Sequence, residues 1–205
     1  MNYMQFRNRF YELGCFHVHQ VYAWQADFEK NNLTRWTKKR LLLKLRNGYY
    51  SFPEYLSHPS FSLFVANRIY RPSYISLHTV LAFYEMIPEA VVQITSVSSL
   101  KKTVFENAFG TFSYQQVAPD LVFGYDVKPF SNDRTILLAK PEKALLDLLY
   151  LYPFYNTPQE MTELRLDEDF MQIDFNASLF NEYAEKFRSK ALSKRVEMLL
   201  KVYDI

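Results

Sequence analysis

The sequence predicts an α+β protein in two parts, a small basic N-terminal module and a mixed α/β domain with a helical C-terminal end. Three observations predict it. Apolar residues recur at helical spacing before residue 40 and again after Pro141, with β-rich runs between. Asn47-Gly48 interrupts an alternating run, the strongest short signal for a tight hairpin. Charge divides unevenly: residues 1–52 hold nine basic and three acidic side chains, a formal +6, and the remaining 153 residues carry −4. That split suits a polyanion-binding module joined to a mildly acidic partner domain.

At 205 residues and 49% hydrophobic content, the chain can bury one large core or two small ones. A charged content of 22%, with no strongly polar or repetitive window, predicts folding almost end to end. Met1–Phe10 is broken by Arg7 and Arg9 and lacks the apolar core of a signal peptide, and no stretch reaches the length of a membrane span. A cytoplasmic protein without membrane contact is therefore expected. One cysteine, Cys15, excludes an internal disulfide and a multi-cysteine zinc site.

Phe6, Phe10 and Leu13 are spaced as one buried stripe of a short helix that stops at Gly14. Val18, Val21 and Tyr22 predict a second short helix over about His17–Trp24. In a third, over Glu29–Arg40, Leu33 and Trp36 point one way, while Asn31, Thr34, Arg35 and Lys38 cluster opposite. Asn, Arg and Lys suit base edges in the major groove, and Lys30 and Lys39 flank that face where phosphates would run. Leu43, Leu45, Tyr50 and Phe52 then alternate with Lys44, Arg46, Tyr49 and Ser51 around Asn47-Gly48, which predicts a hairpin with Lys44 and Arg46 on its outer side.

Three short helices followed by a basic hairpin make a winged helix-turn-helix over residues 1–54, with duplex DNA as the expected partner. The same basic face would also serve a winged-helix protein-interaction module that recognises an acidic protein.

The second domain is expected over residues 60–205, after a linker at Ser57-His58-Pro59-Ser60. Phe61, Phe64, Val65 and Ile69 predict its first helix. Ser76 is the expected N-cap of a helix burying Leu77, Val80, Leu81 and Tyr84. Val91–Val97, Thr103–Val117 and Ile136–Ala139 supply strands, with a turn near Asn107–Gly110. Phe105, Phe109, Phe112 and Tyr114, at strand spacing, are expected in the core and not as base-stacking platforms. Pro141 should open a helix that buries Ala144, Leu145, Leu148 and Leu149.

Pro72-Ser73-Tyr74-Ile75-Ser76, Ile87-Pro88-Glu89, Ile94-Thr95-Ser96-Val97, Phe123-Gly124-Tyr125 and Ala139-Lys140-Pro141-Glu142-Lys143-Ala144-Leu145-Leu146-Asp147 stand in a fixed order. In that order they resemble the central block of the AbiEi antitoxins, the DNA-binding halves of abortive-infection type IV toxin-antitoxin pairs. Trp36 and Arg46-Asn47-Gly48-Tyr49-Tyr50 resemble that family's winged helix. The resemblance implies a phage-defence regulator that represses its own promoter at repeated sites. It also implies a second domain that opposes a nucleotidyltransferase-like toxin without holding it in a stable complex.

No catalytic residue, metal or cofactor is expected. His17 and His19 could supply two metal ligands, but no carboxylate or cysteine set completes a site, and packing or surface histidines are expected. Glu142, Lys143, Asp147 and Asp120 invite a metal-dependent nuclease, yet adjacent residues on a strand face oppositely, so Glu142-Lys143 has the wrong spacing. Glu142 is expected to complement a helix dipole and Lys143 to be solvated. Towards the C-terminus, Glu160, Glu163, Asp167, Glu168 and Asp169 predict a solvated acidic stretch. Leu192, Val196, Leu199, Leu200 and Tyr203 predict a final helix packed on the second domain.

Overall fold

The protein, described here by a computed structural model covering residues 2–131 and 134–205, is a mixed α+β structure with a mixed sheet and C-terminal helices. Asn2 opens α1 (Tyr3–Phe10) with a reciprocal cap: its side chain accepts from Gln5 N at 2.9 Å, and Gln5 Oε1 accepts from Asn2 N. Phe6 and Phe10 are buried, but Leu13 is 40% exposed, which corrects its expected place on the same stripe. The helix has already tightened into a 3-10 turn at Tyr11–Leu13, and that change of pitch rotates Leu13 outward. Gly14 then reverses the chain at φ +68°, where a Cβ would stand 2.9 Å from Phe61 Cζ.

The chain continues through β1 (Cys15–His17), α2 (Val18–Trp24), α3 (Asn31–Lys38), β2 (Leu43–Arg46) and β3 (Tyr49–Ser51). β1 was not anticipated. It pairs antiparallel with β3, giving a three-stranded sheet in the order β1-β3-β2. Phe6 centres the core of this part, with ring centroids 4.7 Å from Trp36, 5.5 Å from Phe16 and 5.8 Å from Phe28. Buried aromatic area of this kind dominates the stability of a small module.

Ser57-His58-Pro59-Ser60, the expected linker, is exposed, but the segment just before it is packed. A 3-10 turn at Pro53–Ser57 buries Tyr55, whose hydroxyl donates to Tyr11 O at 2.6 Å and whose ring stacks on Phe61 at 4.4 Å. After α4 (Phe61–Ile69) come β4 (Ser73–Ile75), α5 (His78–Phe83), β5 (Ile94–Ser98), β6 (Thr103–Asn107), β7 (Gly110–Gln116), β8 (Tyr125–Pro129) and β9 (Thr135–Ala139). The six strands form one sheet in the order β6-β7-β5-β4-β9-β8, parallel at β5/β7 and β4/β9 and antiparallel elsewhere.

Register puts Tyr74, Val97 and Gln115 on one face of that sheet and Tyr114 on the other. The Tyr114 hydroxyl donates to Ala66 O of α4 at 2.8 Å, so α4 covers one face. The opposite face carries α6 (Pro141–Leu151), which opens on Pro141 as expected and buries Ala144, Leu145, Leu148 and Leu149. Phe112 and Tyr114 are fully buried, and Phe105 and Phe109 pack on the core from its margin.

The C-terminal helices are α7 (Pro158–Thr162), α8 (Glu168–Ile173), α9 (Ala177–Lys186) and α10 (Lys190–Val202), capped in turn by Thr157, Asp167, Asn176 and Ser189. α10 buries Leu192, Val196 and Leu199 against α6, α7 and α9. Glu163, Asp167, Glu168 and Asp169 are exposed, as expected. Among the described residues, no helix is long and apolar enough to cross a membrane.

Candidate nucleic-acid interface

α3 is held by the residues that cannot face water. Leu33 is fully buried and Trp36 nearly so, the indole lying edge-on to Tyr3 at 5.5 Å, while the Tyr3 hydroxyl donates to Leu41 O just beyond the helix. With that face fixed, the helical period turns Asn31, Thr34, Arg35 and Lys38 outward, and all four are exposed. Together with Lys39 they line one concavity of about 430 Å³.

Arg35 Nη2 donates to Asn32 Oδ1 at 2.7 Å, which leaves its other donors free. Among the described residues, no carboxylate pairs with Lys30, Arg35, Lys38, Lys39 or Lys44. The surface is therefore cationic without internal neutralisation.

Lys30 sits at the start of α3 and shares a second hollow, of about 260 Å³, with His17, His19, Asn47, Gly48 and Tyr50. The hairpin turn is thus placed beside the N-terminus of α3. His17 anchors that arrangement as the N-cap of α2: Nδ1 accepts from His19 N at 3.2 Å, and Val18 N donates to Gly48 O at 2.8 Å. Gly48, at φ +81°, stands against the His17 imidazole with no room for a Cβ. Burial, then His19 and Arg46, hold the imidazole below its ordinary value. His17 Nδ1 is thus already engaged, and no three His, Cys, Asp or Glu among the described residues are arranged to hold a metal ion.

The hairpin's two basic residues part company. Lys44 is exposed on β2. Arg46, expected beside it on the outer side, instead turns towards the second part of the chain. Its Nη1 donates to Ile69 O at 2.6 Å, and its guanidinium lies 4.5 Å from the Phe105 ring centroid and 5.0 Å from that of Tyr70. A β-bulge between Lys44 and Arg46 breaks the alternation that would have kept them on one face.

Two further expectations need correction. Lys143 is not solvated: it is fully buried beside Asp147, one turn along α6, with Nζ donating to Asp147 Oδ1 and, at 2.7 Å, to the Tyr74 hydroxyl. Nor does Ser76 cap α5. Its hydroxyl donates to Asp147 Oδ2 at 2.7 Å, beside that of Tyr74 at 2.8 Å, and Thr95 Oγ1 accepts from Thr79 N instead. The Asp147 carboxylate drew Ser76 inward, where an unpaired buried charge would cost more than a missing cap.

Burial lowers the Lys143 ammonium and raises Tyr74 well above its usual range. Glu142, buried in the first turn of α6, accepts from Asn176 N at 3.0 Å. Asp120 is exposed in a separate 3-10 turn at Pro119–Leu121 and joins no acidic group with them. This cluster locks α6 to β4, with every polar atom turned inward.

Arg68 and Arg71, which were not singled out from the sequence, line two cavities, one of them shared with Cys15 and His17 of β1. Their signal was two arginines three apart, at the end of α4 and just beyond it, with no acid within that helix. No protein-family model matches the chain, and no curated protein matches it.

Proposed function

We propose that the first 54 residues act as a winged helix-turn-helix that binds duplex DNA sequence-specifically, and that the protein is the antitoxin and autorepressor of a type IV toxin-antitoxin pair. The single observation that carries the DNA reading is α3. Its apolar side is locked into the core, while Asn31, Thr34, Arg35, Lys38 and Lys39 share one exposed concavity free of acids. The order helix, strand, helix, helix, strand, strand supports it, since in a winged helix that order leaves the third helix free for the major groove with the hairpin against the backbone.

Asn31, Thr34, Arg35 and Lys38 are assigned to base edges, Asn to adenine and Arg to guanine by their bidentate geometry. Lys30, Lys39 and Lys44 are assigned to phosphates. Arg46 is withdrawn from that set because it holds the hairpin to β6 and the end of α4.

The antitoxin setting rests on the ordered motifs from Pro72 to Asp147. Tyr74, Ser76, Lys143 and Asp147, all motif residues, meet in one buried cluster, so these four serve the fold and not a contact surface. No catalytic role is assigned to them. The partners proposed are the promoter DNA and a nucleotidyltransferase-like toxin opposed in the cytoplasm without a stable complex.

A gel shift with the DNA upstream of the protein's own gene tests the reading. Wild type should bind and the Arg35→Ala, Lys38→Ala double variant should not. Equal behaviour of the two, or no binding at low salt, would overturn it, as would capture of an acidic protein through residues 29–46 with DNA ignored.

A further inference from the structure

Arg68, in the last turn of α4, is half-buried with its guanidinium 4.7 Å from the Phe64 ring centroid. Arg71 follows three residues later, its Nε donating to Asn67 O at 3.0 Å. Among the described residues, neither meets a carboxylate within ion-pair distance. Burial first, then the charge of Arg71 and in smaller measure that of Arg134, hold the Arg68 guanidinium below its ordinary value, with Cys15 acting in the opposite sense between them. Like charges gathered in a partly desolvated place are unfavourable unless an anion joins them.

Both arginines line a cavity of about 460 Å³ whose other walls include Pro72, Val122, Leu137 and the ring of Tyr125. Tyr125 is stacked from behind by Tyr74, with ring centroids 5.0 Å apart and planes 20° from parallel, so it is held in place before any ligand arrives. The cavity therefore has a cationic end and an apolar, aromatic side. Its volume falls within the usual range for a small-molecule pocket, roughly 300–1,000 Å³. Guanidinium forks match phosphate oxygens in pairs.

We propose that this cavity binds a small phosphorylated organic molecule of mononucleotide size, its phosphate between Arg68 and Arg71 and its organic part against Val122, Leu137 and Tyr125. The same two arginines also line a hollow of about 300 Å³ with His17 and Tyr49, which puts the ligand at the junction between the basic module and the six-stranded sheet. The site is independent of the DNA reading, since none of the α3 residues takes part in it.

Calorimetric titration of the full chain tests the proposal with adenosine 5′-monophosphate, ribose 5-phosphate, adenosine and inorganic phosphate, each at millimolar concentration. The monophosphate should bind, adenosine should not, and inorganic phosphate should bind more weakly than either organic phosphate. Arg71→Gln, at an exposed position, should weaken the monophosphate by about tenfold or more. Tyr125→Leu should weaken the monophosphate while leaving inorganic phosphate unchanged. Absence of binding by every phosphorylated probe, or equal affinity in Arg71→Gln, would overturn it. So would a loss of duplex affinity in Arg71→Gln with no response to any small phosphate, which would make the arginines a backbone contact.

Discussion

The Lys143 ammonium and the Asp147 carboxylate face each other one turn apart on α6, both without solvent exposure, and the Tyr74 and Ser76 hydroxyls close the carboxylate's other oxygen. Taking two charges out of water is costly, so a pair of this kind holds only when each remaining lone pair and proton finds a partner. Asp147→Asn leaves a buried ammonium without a counter-charge and should cost about 3–5 kcal/mol. Lys143→Met leaves a carboxylate that still receives two hydroxyls, and should cost less. Urea unfolding of the two variants gives the order; an equal or larger loss in Lys143→Met would contradict the account.

Lys44 and Arg46, two residues apart, should respond in opposite ways. Arg46→Ala removes a charged hydrogen bond to Ile69 O and two ring contacts, and should lower stability by about 1.5–3 kcal/mol. Lys44→Ala should leave stability within about 0.5 kcal/mol, and should reduce the slope of DNA affinity against salt by about one. Thermal unfolding and a salt titration separate them. A reduced slope in Arg46→Ala with unchanged stability would return Arg46 to the interface.

His17 links the hairpin to acidity. Its folded value lies below the unfolded one, about 6.5, so the stability it supports is present above that pH and is lost as pH falls through the folded value. Protonation also takes away the Nδ1 lone pair that accepts from His19 N. His17→Asn keeps a cap acceptor without titrating. The melting temperature of wild type should therefore fall relative to His17→Asn between about pH 7 and about pH 5. A constant difference across that range would contradict the assignment.

What could be read from the sequence followed from periodicity and turn chemistry. Leu33 with Trp36 fixed both faces of α3, and Asn47-Gly48 located its hairpin, because each signal is local and needs no knowledge of neighbours. β1 escaped because three residues, Cys15–His17, are too few to display a period of two. β8 escaped because it ends in Pro129 at the edge of the sheet, where strand patterning is weakest. Lys143 was misplaced because a lysine four residues before an aspartate has the same spacing whether the helix is solvated or buried. Arg46 was misplaced because a bulge leaves no mark in an alternating run. Arg68 and Arg71 acquire their meaning only from the walls that distant residues such as Val122 and Leu137 build around them.

The measurement that bears most directly on the central claim is competition anisotropy, with the upstream duplex set against a scrambled duplex of equal length. Wild type should prefer its own sequence, and Arg35→Ala and Asn31→Ala should each lose about 1–3 kcal/mol of that preference while the affinity for scrambled DNA changes far less. Equal affinity of wild type for both duplexes, or a preference that survives both substitutions, would contradict the assignment of α3 as the reading helix.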